Sequence, residues 1–188
     1  MPKRCTIIGA PGKNRQMRKY LHWALVITGI VCGACDDDDD GDVINATDRD
    51  FVLQVSEGNL AEVELGQLAA TKSTTLSVQE FGQMMVMEHT LAQTKLDSIA
   101  DRHGIETATA LNAKHQELKQ LLSTLSGYSF DTAYMNSQVR DHELTESRFQ
   151  TEIANGSHEG VRWYANKFLP NIQMHLHHAD NIASAIQQ

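Results

Sequence analysis

The chain has 188 residues, 41% of them hydrophobic and 6% aromatic, and a formal net charge of −8. The first 34 residues carry six Lys and Arg and no acid, whereas from residue 35 onward 10 Lys and Arg face 24 Asp and Glu. A body that acidic excludes nucleic acid and anionic lipid headgroups as its partners, and the length leaves room for one domain behind a leader.

The leader comes first. Arg18 and Lys19 precede an apolar run, Leu21 to Ala34, of 14 residues broken only by His22 and Thr28. Such a run is shorter than the roughly 20 residues of a membrane-spanning helix and matches the core of an export signal. Residues 1–34 therefore read as a signal peptide, with Met17-Arg18-Lys19 as an alternative start. Gly33-Ala34-Cys35 resembles a bacterial lipobox, with Cys32 standing where Leu is usual. Cys35 is the expected lipidation site, which makes the membrane a partner through a lipid anchor and places the protein in a bacterial cell envelope. A cleaved, unlipidated signal or an uncleaved anchor are the alternatives. Cys5, Cys32 and Cys35 are the only cysteines, so the rest of the chain offers no disulfide and no thiolate ligand. The acidic run Asp36 to Asp40, with Gly41 and Asp42, cannot bury anything and reads as a solvated tether over residues 35–46. A folded domain is expected over 47–188.

Helical periodicity dominates that domain, and the fold expected is all-α. A first helix spans about Asp48 to Lys72, capped by Thr47 or Asp48, with Phe51, Val55, Gly58, Glu62, Leu65 and Ala69 on one face. A second opens with the capping box Ser77-Val78-Gln79-Glu80 and stops at Gly104. Its stripe is Val78, Phe81, Met85, His89, Ala92, Leu96 and Ile99. A shorter helix, about Ala108 to Leu125, precedes a fourth that begins near Phe130 or Asp131 and reaches Ala154. The fourth stripe is Met135, Val139, His142, Glu146, Phe149 and Ile153. Asn155-Gly156 breaks the chain and Ser157 caps the last helix, whose stripe runs Val161, Ala165, Phe168, Ile172, His175, Ala179, Ile182 and Ile186. Pro170 lies inside that helix and is expected to kink it. Four helices of roughly 25 to 30 residues and one short piece make a four-helix bundle, with the short helix in the connection between the two long pairs.

The polar intruders in these stripes carry the functional signal. Glu62, His89, His142 and His175 each fall near a helix midpoint, and midpoints of antiparallel helices lie at one height. One carboxylate and three imidazoles thus converge on one core layer, with Glu88, Asp141 and Glu146 near enough in sequence to join or orient them. Such a layer is satisfied either by one divalent transition metal or by a closed hydrogen-bond network. Val86, Val139 and Ile172 stand three residues before the histidines, so the paired Glu-x-x-His pattern of di-iron bundles is absent. Met84, Met85, Met87, Met135 and Met174 raise a Cu(I) alternative, though methionine in such cores is usually filler. His177 and His178 read as a solvated patch.

Several segments resemble the bacterial family called domain of unknown function 4142. They are Ala61-Glu62-Val63-Glu64-Leu65-Gly66-Gln67-Leu68-Ala69, Met85-Val86-Met87-Glu88-His89, Leu125-Ser126-Gly127 before Phe130-Asp131-Thr132-Ala133-Tyr134, Asp141-His142, and Leu169-Pro170 ahead of His175. The resemblance implies a ferritin-like, exported domain and carries over Glu88-His89, His142 and His175; it implies no activity. The function expected is an exported, lipid-anchored helical protein binding one transition metal, a binding role rather than an enzymatic one. The alternative is a structural or interaction protein of the envelope, related to stress, whose histidine layer is only a hydrogen-bond network.

Overall fold

A computed structural model describes residues 43–187. Residues 1–34, read above as a signal peptide, with Cys35 and the acidic run through Asp42, lie outside the described residues. Within them the chain is all-helical: α1 Ala46–Lys72, α2 Leu76–Ala100, α3 Ala113–Thr124, α4 Gly127–Asn155 and α5 Glu159–Ile186. No helix among the described residues is long and apolar enough to cross a membrane.

The helix starts differ from the periodicity reading, and local chemistry explains each shift. Asn45, not Thr47 or Asp48, caps α1. Its side chain accepts from the Asp48 N–H at 2.8 Å, and Asp48 accepts from the Asn45 N–H at 2.7 Å, closing a capping box. The expected tether therefore ends earlier than residue 46, with Ile44 packed on the apolar core. The box at Ser77 does not form. Thr75 caps α2 without a side-chain bond, because its hydroxyl and that of Ser73 both donate to Asp131 of α4, at 2.6 and 2.5 Å. α3 starts five residues later than expected, at Ala113, with Asn112 accepting from the His115 N–H at 3.0 Å. α4 starts earlier, at Gly127. Ser157 does not cap α5. It donates to Asp48 instead, at 3.0 Å, while His158 Nδ1 accepts the Val161 N–H at 3.2 Å. Gly104 does stop the second helix: after one 3-10 turn, Asp101–His103, it adopts φ 60°, where a Cβ would be strained. α5 runs unbroken through Pro170.

α1 packs along α2 and α4 along α5, while α1 also meets α4 and α2 meets α5. The α1–α2 crossing is close. A Cβ on Gly66 would sit 2.7 Å from the Gly82 carbonyl oxygen, and one on Gly82 2.7 Å from that of Gly66. The start of α1 is tied to the α4–α5 turn through Asp48 and Ser157, and the α1–α2 turn to the start of α4 through Asp131. α2 thus ends at the opposite end from where α4 begins, and the segment between them crosses the length of the long helices. α3 lies in that crossing against α1 and α4, with Lys119 paired to Glu64 at 2.7 Å and Lys114 to Asp141 at 2.9 Å.

The core is divided. One apolar cluster gathers Phe51, Val55, Leu96, Phe149, Val161 and Tyr164 among others. A second gathers Leu65, Phe81, Met85, Phe130, Tyr134 and Ala183. Between them lie the buried polar residues Asn59, Glu62, His89, Gln138, His142 and His175.

Candidate metal centre

All seven positions expected to face inward on α2, from Val78 to Ile99, are buried, so the periodicity that buries Phe81 and Leu96 also delivers His89 to the core. The same holds for His142 on α4 and His175 on α5. The three imidazoles are 4%, 1% and 1% exposed. Their ring centroids are 5.8 Å (His89–His142), 5.4 Å (His89–His175) and 5.4 Å (His142–His175) apart. One ring nitrogen from each lies within 4.8 Å of the other two.

The surroundings fix which nitrogen carries the proton. His142 Nδ1 lies 2.9 Å from the Gln138 carbonyl oxygen, an acceptor only, so Nδ1 is the donor. His175 Nε2 lies 3.0 Å from Glu88 Oε2 and donates to that carboxylate, which also accepts from Asn171 Nδ2 at 2.9 Å. For His89 the assignment runs through a chain. Asp97 accepts from Gln93 Nε2 at 2.7 Å, so Gln93 Oε1 faces Asn59 Nδ2 at 3.1 Å, and Asn59 Oδ1 accepts from His89 Nδ1 at 2.9 Å. What remains is one lone pair per ring: His89 Nε2, His142 Nε2 and His175 Nδ1. All three are buried and have no hydrogen-bond partner among the described residues.

Burial also keeps the rings neutral. It lowers His89 well below its ordinary value, helped by its two neighbouring histidines. It lowers His142 to about 4, and it lowers His175 in spite of the Glu88 carboxylate beside it. Neutral imidazoles held by a carboxylate, a backbone carbonyl and an amide oxygen are what metal-binding histidines require, since the outer acceptor sets both tautomer and ring orientation.

The acids divide. Glu88 orients His175. Glu62 is buried, and burial pushes it up to about 8, the Gln138 amide offsetting part of this and the Asp141 charge adding to it. It is not in the 4.8 Å set, but it lines, with His89 and His142, a polar cavity of about 150 Å3 that Asp141 and His115 also border. Asp141 is committed to Lys114. Glu146 bonds Gln150 and Gln173, at 3.2 and 2.8 Å, rather than any histidine. The α4 stripe is turned slightly from the expected one: Val139, Glu146 and Ile153 lie at its edge, while Gln138 and Glu152 are buried. Met85 and Met135 are core filler in the second cluster, Met87 and Met174 are exposed, and His177 and His178 are exposed as expected. Asn59, Gln93, Asp97 and Asn171 join the site without standing out in the sequence. Asn59 alone carries a signal there, being a polar residue one turn before Glu62 on the buried side of α1.

No curated protein and no solved structure matches this chain. The family described as Domain of unknown function (DUF4142) has a model that matches residues 37–182. The match spans all five helices nearly to the end of α5, the three histidines included, and the chain belongs to that family.

Proposed function

We propose that this is an envelope metal-binding protein: a ferritin-like four-helix bundle, exported and lipid-anchored at Cys35, holding one divalent transition metal on His89, His142 and His175. The observation that carries the metal reading is the set of three orphaned lone pairs on rings whose other nitrogens are already pinned. A buried acceptor without a donor costs about 1–3 kcal/mol. A single water has two protons to give and would leave the third acceptor unmet, whereas one cation satisfies all three. Three neutral imidazoles suit zinc, copper, iron or nickel and leave a further coordination position. Glu62, on the wall of the polar cavity, is the carboxylate placed to approach it after losing its proton. The single crossing between α2 and α4 supports the ferritin-like arrangement, and the missing Glu-x-x-His pairs favour one metal over two.

Metal content of protein purified without chelator decides the central point. About one equivalent is expected in the native chain and none in a His89→Ala/His142→Ala variant. Equal, substoichiometric metal in both would reduce the histidines to an internal network. For the anchor, Cys35→Ala is expected to lose lipid labelling and leave the membrane fraction, and Cys32→Ala to do neither. A Cys35→Ala protein that survives a high-salt wash on the membrane would make an uncleaved helix the anchor.

A further inference from the structure

A second cavity reaches the histidines, and its chemistry differs from the polar one. It encloses about 520 Å3 between α2 and α5, walled by Ala92, Phe149, Phe168 and Ile172. Its inner end is formed by His89 and His175. Met87 and Leu91 stand at its rim, 66% and 56% exposed, so an apolar path leads inward from solvent. An apolar cavity of about 150 Å3 accommodates benzene, and this one is large enough for two or three fused or linked rings.

Two of the polar residues on its wall are engaged by protein groups. Glu88 Oε2 receives the His175 and Asn171 donors. Asn59 is engaged by His89, Gln93 and Tyr164. His89 and His175 stand at the inner end, and their unpartnered nitrogens, His89 Nε2 and His175 Nδ1, are buried behind that wall and are the ones assigned above to the metal. The Glu88 carboxylate disfavours an anion. Resting on that metal reading, we propose that the cavity binds a neutral aromatic or aliphatic molecule of two- to three-ring size, whose one heteroatom end meets the ion on the triad. The apolar walls hold the body of the ligand, and the heteroatom fills the coordination position that three imidazoles leave open.

The test uses cobalt(II)-loaded protein, its visible absorption, and two probes: imidazole and 4-phenylimidazole. Both carry the same ligating ring, and only the second fills the apolar cavity. Burying the phenyl ring is expected to make 4-phenylimidazole bind roughly 30- to 100-fold more tightly. Ala92→Phe narrows the cavity from within, and Leu91→Asp places a charge at its exposed rim. Each should bring that ratio to within about threefold of unity, with the cobalt spectrum before addition unchanged. Equal affinity for the two probes, or a preference that survives both substitutions, overturns the proposal while the metal reading stands. Protein that holds no cobalt removes the metal reading instead, and saturation-transfer NMR of metal-free protein then decides the cavity. Transfer to the phenyl protons that Leu91→Asp abolishes sustains it; no transfer overturns it.

Discussion

The two apolar clusters and the polar layer between them are built from the same helices at the same periodicity, yet they obey different rules. In the clusters, Leu65, Leu96, Phe130 and Phe149 are at most 1% exposed and make no demand beyond close packing. In the layer, His142 and His175 are buried to the same degree, but each needs a specific acceptor on one nitrogen and leaves the other unmet. A stable fold alone would favour apolar residues throughout, since burying unsatisfied polar groups costs stability. The difference teaches where unmet acceptors gather on three helices around one point, whereas the second cluster carries a scattered one in the Tyr134 hydroxyl.

Truncating the clusters should have the largest effect on stability. Leu65→Ala in one and Leu96→Ala in the other are each expected to cost about 2–5 kcal/mol in denaturant melts, from lost burial and the hole left behind. His142→Leu in metal-free protein should cost less than about 1 kcal/mol, or stabilise, because it removes an orphaned acceptor while keeping the volume. If His142→Leu is as costly as Leu65→Ala, the layer is structural and the contrast fails.

Acid should single out the layer next. Burial holds His142 at about 4 in the fold against 6.5 unfolded, so the unfolded chain takes up the proton first. Stability from this group is therefore full above pH 6.5 and is lost as the pH falls through 4. The loss is about 3 kcal/mol for metal-free protein. A flatter acid limb in His142→Leu than in the native chain would assign the loss to that ring; parallel limbs would assign it elsewhere.

The acceptors behind the rings should matter for metal but little for packing. Glu88→Ala and Asn59→Ala are each expected to weaken metal binding 10- to 100-fold in competition titrations. Glu146→Ala, whose partners are Gln150 and Gln173, should change it less than about twofold. Equal effects from all three would mean that general charge, not ring orientation, tunes the site.

A local effect, confined to stability, belongs to the start of α1 at one end of the bundle. Asn45→Ala removes the α1 cap and is expected to cost about 1 kcal/mol with no change in metal affinity. A change in affinity there would show that the end of the bundle and its middle are coupled.

Much of this contrast is legible in the amino-acid sequence. The stripes on α2 and α5 name the residues on the buried side, and the histidines interrupt those stripes in phase, because a helix repeats every 3.6 residues whatever the residue's chemistry. Equal distance from the helix ends then sets the three at one level. Glu62 is legible for the same reason. The α4 register is less so: Met135, His142 and Phe149 fit, but Gln138 and Glu152 are buried where periodicity puts Val139, Glu146 and Ile153, a rotation too small for apolar spacing to register. Helix starts are least legible. Several hydroxyl and amide side chains compete for each cap, and at Ser73, Thr75 and Ser157 the winning partner is an aspartate more than 50 residues away.

By itself, then, the sequence determined the all-helical class, the long helices, the stop at Gly104 and the convergence of three imidazoles, since all of these follow from local periodicity and backbone preference. Only the tertiary structure decided which nitrogen of His89 and His175 is free, because each tautomer is set by an acceptor from another helix: Glu88 across the α2–α5 interface, and Asn59 at the end of a chain reaching Asp97; that of His142 is set locally, by the Gln138 carbonyl one turn back. It also separated Glu62 and Glu88, which line the layer, from Asp141 and Glu146, which turn to other partners. And it placed one polar and one apolar cavity against the same histidines. Cavities of this kind arise where surfaces from several helices fail to fill the space between them, and no single helix's residue pattern contains that shape.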